Sequence, residues 1–212
     1  MNRRHCLGTA LAALVASLPA VAEGKRRPRI LLRNAWQSMN IGDIAHYMGM
    51  LELMARYGID AEVRLWPSNL ENEADQLLAR NFPKVTVVKS KEDIATAIQE
   101  CDFFLHGSCS GFGAWKDVAR WVKETGKPFG VCGISITSTE SGLIETLSKA
   151  SFVFFRDSVS MGVAKEHGCT APIMEFGPDT AFGILKLRDD AKATAFLKEH
   201  DLQEGKFMCC IP

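Results

Sequence analysis

Between Arg29 and Lys206 the chain alternates short, uninterrupted apolar runs with longer amphipathic segments, a rhythm that few folds satisfy. An apolar run without polar alternation needs cover on both of its faces, as a strand has in a parallel sheet between helical layers. The runs 30–33, 61–65, 84–88, 103–106, 129–133, 152–155, 173–175 and 207–211 are rich in β-branched, aromatic or continuous apolar residues and read as strands. Segment 43–56 carries Ile44, Met48, Leu51 and Met54 or Ala55 at the three-to-four spacing of one buried helical face, and Gly58 supplies its stop. Segments 69–82, 91–100, 114–124, 140–149, 158–167 and 190–200 repeat that pattern, with Gly126 and Gly168 at carboxyl-terminal caps. Strand and helix alternate without an internal repeat, low-complexity tract or linker. The expected fold is therefore a Rossmann-like α/β domain over 29–206, a parallel sheet with helices on both faces.

Both ends of the chain are different in kind. Asn2 to His5 is basic, Cys6 to Val21 is apolar and rich in Ala and Leu, and Ala20-Val21-Ala22 is a small-residue cleavage pattern. Residues 1–22 read as a signal peptide, with Arg3-Arg4 suggesting the twin-arginine route, and 23–28 as a basic linker. The apolar run falls short of the ~20 residues of a spanning helix, so no transmembrane span is expected in the mature chain and export to the periplasm or cell envelope is. At the other end, 207–212 reads as a strand with nothing behind it to cover it. A natural domain seldom ends that way, so the segment is expected to open a missing carboxyl-terminal domain.

Charge and cysteine usage exclude other classes. Lys+Arg and Asp+Glu both number 25, and a formally neutral chain gives no basic surface for nucleic acid. Six of the seven cysteines lie beyond the leader without the spacing of a disulfide scaffold, a zinc site or a Cys-x-x-Cys redox pair. The expectation is no metal and no cofactor, with cysteines serving as small buried hydrophobes.

Residues suited to chemistry gather where strands hand over to helices, the edge at which open α/β sheets bind ligands. After the first strand comes Ser38-Met39-Asn40-Ile41-Gly42-Asp43. Gly42 permits close backbone approach, Asn40 suits a turn amide or a ligand hydroxyl, and Asp43 either caps the helix or serves as a site carboxylate. His46, one turn on, reads as a helix-surface residue. After the fourth strand comes His106-Gly107-Ser108-Cys109-Ser110-Gly111-Phe112-Gly113, whose Gly107 and Ser108 offer amides and a hydroxyl to an anion. This loop lacks the Lys-Ser/Thr of a P-loop and the glycine spacing of a dinucleotide site. A Cys109 hydrolase is a rival reading, with His106 too close along the strand to be an obvious base. After the fifth strand, Ser135 and Thr137 flank another polar turn. After the sixth, Arg156-Asp157-Ser158 delivers a guanidinium into a helix start, where Arg156 either holds a carboxylate or phosphate two-pronged or pairs structurally with Asp157 or Asp179. Finally, Gly177-Pro178-Asp179-Thr180-Ala181-Phe182 sets Asp179 near the same rim.

In order and spacing, Asn40-Ile41-Gly42-Asp43, Phe155-Arg156-Asp157-Ser158 and Gly177-Pro178-Asp179-Thr180-Ala181-Phe182 resemble the polysaccharide pyruvyl transferase family, as do the glycine-rich loop after the fourth strand and Lys127 to Ile134. The resemblance spans nearly all of 29–212. It implies the first of two Rossmann-like domains arranged as in B-type glycosyltransferases, moving a pyruvyl group from phosphoenolpyruvate onto a sugar hydroxyl of a surface glycan. It implies Asp43 as general base or acceptor-positioning carboxylate and Arg156 as donor anchor, with Asn40, Gly42, Gly107, Ser108, Ser135, Asp157 and Asp179 around the substrates. The family's donor-binding His and Arg belong to the second domain, so this fragment alone is expected to be inactive. Ser38 departs from the family's usual glycine, and the loop 106–111 departs from a plainer glycine run. Phosphoenolpyruvate is a cytoplasmic metabolite, so either the leader misleads or the donor differs. An exported, non-catalytic glycan- or anion-binding module of the same fold is the alternative.

Overall fold

A computed structural model describes residues 3–18, 26–71, 73–136, 138–184 and 189–208. The strands are β1 (Arg29–Arg33), β2 (Glu62–Trp66), β3 (Thr86–Val87), β4 (Phe103–His106), β5 (Phe129–Ile134), β6 (Phe152–Phe155) and β7 (Met174–Phe176). They form one seven-stranded sheet in the order β3-β2-β1-β4-β5-β6-β7, every pairing parallel. The chain steps outward from β1 to β3, returns to the other side of β1 at β4 and steps outward again to β7. The order therefore reverses between β1 and β4.

Alternate strand residues feed two cores. Ile30, Leu32, Leu65, Phe103, Leu105, Phe152 and Phe154 face one layer, whereas Leu31, Phe104, Val131, Val153 and Phe155 face the other. Both faces are dry, which is why the strands carry no polar alternation. The first layer holds α1 (Arg3–Ser17), α2 (Ile41–Arg56) and α3 (Ala74–Asn81). The second holds α4 (Lys91–Glu100), α5 (Trp115–Thr125), α6 (Ser141–Ser148) and α7 (Ser158–Glu166). The last helix, α8 (Asp190–Glu199), buries none of its residues. Gly58, Gly126 and Gly168 all take the positive φ that ends a helix cleanly.

Three boundaries differ from the sequence expectation. Helix α3 begins at Ala74, not at 69, because Leu70 is buried in the approach to it while Glu73 turns through a left-handed φ of 66°. β3 shortens to two residues at the sheet edge, where only β2 pairs with it. Phe207 and Met208 belong to no strand and are exposed, since no strand of the sheet lies alongside to pair with them. The rest of the strand expected over 207–211 lies outside the described residues.

The segment read from sequence as a signal peptide forms α1, which packs against α2, β5 and β6 and buries Ala10, Leu11, Ala13 and Leu14. No helix among the described residues is long and apolar enough to cross a membrane. Cys101, Cys132 and Cys169 are buried free thiols, and burial pushes Cys132 up to about 12.

A 3₁₀ turn over Thr180–Gly183 follows β7 and docks on α2. The contact depends on Gly49, because a Cβ there would fall on the Thr180 carbonyl oxygen. Gly49→Val should therefore destabilise the protein by about 3 kcal/mol through overpacking. A thermal melt checks this, and an unchanged midpoint would mean that the turn does not sit where described.

Candidate functional site

At the carboxyl edge of β5, β6 and β7, hydrogen bonds gather side chains from four separate segments. Helix α7 begins at an Asp157 N-cap: Oδ1 accepts from the Ser160 amide at 2.6 Å, and Oδ2 accepts from the Ser160 hydroxyl at 2.8 Å. The Ser135 hydroxyl, beyond β5, donates to Asp157 Oδ2 at 2.7 Å and accepts from Arg156 Nε at 3.0 Å. Arg156 Nη1 donates to Asp179 Oδ2 at 3.0 Å. The guanidinium keeps 28% of its side-chain surface open, and its Nη2 makes no hydrogen bond among the described residues.

Asp179 is the junction. Its Oδ1 caps the 3₁₀ turn by accepting from the Ala181 amide at 2.9 Å, while Oδ2 also takes a 3.0 Å contact from His46 Nε2 on α2. On the other side of that imidazole, Asp43 Oδ1 lies 3.6 Å from Nδ1, too far for a hydrogen bond but close enough for one charge to feel another. The result is a chain Asp43, His46, Asp179, Arg156, Ser135, Asp157 along the sheet edge.

Burial works against ionisation of Asp179, but the hydrogen bond from His46, the Ala181 amide and Arg156 outweigh it, leaving the carboxyl below its ordinary range. Asp157 behaves alike: burial raises it, and Ser135, both Ser160 groups and Arg156 together bring it down further. Three carboxylates thus face Arg156 and His46, so this edge by itself does not attract a polyanion.

Ser108 and Gly107, read from sequence as anion contacts, serve the scaffold instead. Ser108 Oγ is buried, accepts from the Thr180 amide at 2.9 Å and lies within 3.4 Å of the Cys132 carbonyl. Gly107 lacks a Cβ because one there would fall on the Asn34 side chain. Asn40, not Asp43, caps α2, accepting from the Gly42 amide at 2.8 Å, so Asp43 is spared that duty. Asn40 is exposed at the rim with Gly42 beside it. Thr137 lies outside the described residues.

His46 is the residue that sequence reading passed over. It is buried, not surface-lining, and its carbonyl accepts from the Thr180 hydroxyl at 2.8 Å while its ring meets Asp179. The usable signal was its position three residues after Asp43 on one helical face. Neither ring nitrogen of His106 hydrogen-bonds to Cys109 or to any other group among the described residues. No group of three or more His, Cys, Asp or Glu side chains able to hold a metal ion occurs among the described residues.

A family model described as polysaccharide pyruvyl transferase matches residues 40–206, a span that contains the whole network from Asp43 to Asp179. The chain belongs to the polysaccharide pyruvyl transferase family. Comparison with curated proteins found no match. Among solved structures, a myo-inositol dehydrogenase from Corynebacterium glutamicum ATCC 13032 is similar over 66% of this chain at 18% identity and a TM-score of 0.39; the chain spans 40% of that structure. Asp43, Arg156 and Asp179, far apart in sequence, are linked by side-chain contact through His46 and Asp179.

Replacing Asp179 with Asn should cost about 2 kcal/mol, the scale of a charged hydrogen bond left half-made on Arg156 and His46. Urea denaturation measures it. The lowered carboxyls also predict acid sensitivity. A depressed folded-state pKa contributes stability that is complete above the ordinary 3.8 and is lost as pH falls through the lowered values. Asp179→Asn should flatten that acid limb, and a limb of unchanged steepness would remove Asp179 as a source.

Proposed function

We propose that this chain forms the acceptor-side half of a pyruvyl transferase that moves the pyruvyl group of phosphoenolpyruvate onto two hydroxyls of a surface glycan. The observation that carries the reading is the contact chain from Asp43 to Arg156 within the family match. In the reaction, two hydroxyl oxygens bond to C2 of the donor, C3 gains a proton, and phosphate leaves with the other proton. That balance calls for a base at the hydroxyl and an acid at C3. Asp43, relieved of capping, suits the base, and His46 beside it suits proton movement. Arg156, held from two sides and with no Nη2 bond among the described residues, suits the donor carboxylate.

The edge's surplus of carboxylate means that the donor's charge must be met by further cations. In this reading a second domain supplies them, and the fragment alone does not turn over.

A transfer assay on the full-length gene product tests the reading, following phosphate release from phosphoenolpyruvate with an oligosaccharide acceptor. Arg156→Ala should lower kcat/KM by about 100-fold, the scale of two charge-assisted hydrogen bonds. Asp43→Asn should lower kcat by a factor on the order of 100 to 10,000 and leave donor binding intact. Donor left unconsumed by the full-length protein would sink the transferase and favour a binding module.

A further inference from the structure

Asp179 divides one oxygen between two nitrogen donors. Its Oδ2 takes the Arg156 Nη1 bond and the His46 Nε2 contact, each at 3.0 Å, while Oδ1 is committed to the Ala181 amide. Burial opposes ionisation, yet His46, the Ala181 amide and Arg156 keep the carboxyl below its ordinary range, so near neutral pH both oxygens only accept. A nitrogen 3.0 Å from an oxygen that only accepts must bring the proton itself. Nε2 of His46 therefore carries hydrogen, and in the neutral ring Nδ1 carries the lone pair.

That lone pair faces a second acceptor. Nδ1 is buried and has no hydrogen-bond partner among the described residues. Asp43, three residues earlier on α2, places its Oδ1 3.6 Å away. A proton between the two atoms would turn this gap into a hydrogen bond. The gap exceeds the ~3.2 Å limit of such a bond by only a few tenths of an ångström, and catalytic hydrogen bonds are often long before substrate binds.

The fold holds the ring in this setting. The His46 carbonyl accepts from the Thr180 hydroxyl at 2.8 Å, and the turn that carries Asp179 and Thr180 rests against Gly49 on the same helix. Asn40 caps α2 in place of Asp43. Asp43 is partly exposed whereas Nδ1 is closed to solvent, so a hydroxyl arriving from solution meets the carboxylate and not the ring.

We propose that His46 is a positioning residue for Asp43: Asp179 fixes the ring proton on Nε2, and Nδ1 receives the proton that Asp43 draws from the acceptor hydroxyl. The hydroxyl O–H bond breaks as its oxygen bonds to donor C2, the proton passes through the Asp43 carboxylate to Nδ1, and it returns by the same route to the departing phosphate. Between those events the imidazolium lies between two carboxylates, which stabilise its charge. Through one oxygen Asp179 thus aims both Arg156 at the donor and His46 at the base. The part in transfer rests on the pyruvyl transfer reading; the placement of the ring proton does not.

The ring is read directly by ¹⁵N spectra of the 212-residue chain near neutral pH, with His46 assigned by its absence in His46→Gln. Nε2 should be protonated and Nδ1 bare. Asp43→Asn introduces an amide able to donate to Nδ1, so it should shift the Nδ1 resonance and leave Nε2 in place. Kinetics of the full-length gene product supply the second arm. Glutamine at position 46 can still donate to Asp179 but cannot take up a proton, so His46→Gln should lower kcat by about 100-fold and leave the donor KM unchanged. His46→Ala leaves Asp179 without that donor and should raise the donor KM as well, on the order of tenfold. A merely structural histidine would give wild-type kcat in His46→Gln. That result overturns the proposal, as does a resting ring protonated at Nδ1, or an Nδ1 resonance indifferent to Asp43→Asn. The wild-type spectra keep the test decisive should a variant unfold. Failure of the transferase reading shows separately: absence of phosphate release from phosphoenolpyruvate by the unaltered protein removes the transfer role, while the spectra still decide the proton placement.

Discussion

Thr180 ties together parts of the chain that lie 72 and 134 residues away from it in sequence. Its hydroxyl donates to the His46 carbonyl on α2, its amide donates to Ser108 beyond β4, and its carbonyl rests against the bare face of Gly49. Each contact is ordinary in strength, on the order of 1 kcal/mol net. Together they fix the distance between α2, which carries Asp43 and His46, and the turn that carries Asp179. Were that turn free, His46 would lose its charged partner and Arg156 its second anchor. The small residues around the tie, Gly49, Gly133 and Gly183, share one reason, since a Cβ at each would strike the turn or its neighbours.

The site is then a balance of carboxylates against fewer cations. Asp157 spends itself on a helix start, and Asp179 gives one oxygen to a 3₁₀ turn and the other to Arg156 and His46. Capping and charge pairing are usually offered as structural alternatives to function. Here the same carboxylates do the capping and also aim Arg156, so neither account displaces the other. The structural ion pair weighed for Arg156 is present with Asp179, yet Nη2 makes no hydrogen bond among the described residues and the side chain keeps part of its surface open.

Helix α1 adds a constraint from the opposite end of the chain. It covers the sheet over β5 and β6 on the side where α2 and α3 cover the earlier strands. Leu11 and Leu14 are as much core as Phe154. A leader's apolar character and a covering helix's apolar character are the same physical property, and composition alone does not separate them.

Strand and helix identity were legible in the sequence because they are local. Phe103–His106 and Phe152–Phe155 fall where continuous apolar runs say they should, and Lys91–Glu100 follows its own cap and periodicity. The motif residues Asp43, Ser135, Arg156, Asp157 and Asp179 were also legible, since each stands where a strand hands over to a turn or helix. Their partners were not. His46 looked like a surface residue, Ser108 like an anion contact, and Asp43 as much a helix cap as a site carboxylate. Only the tertiary structure decided these, because a side chain's role depends on which distant group shares its hydrogen bonds. Periodicity within a segment determines which face is buried; the packing of one segment on another determines what that face meets.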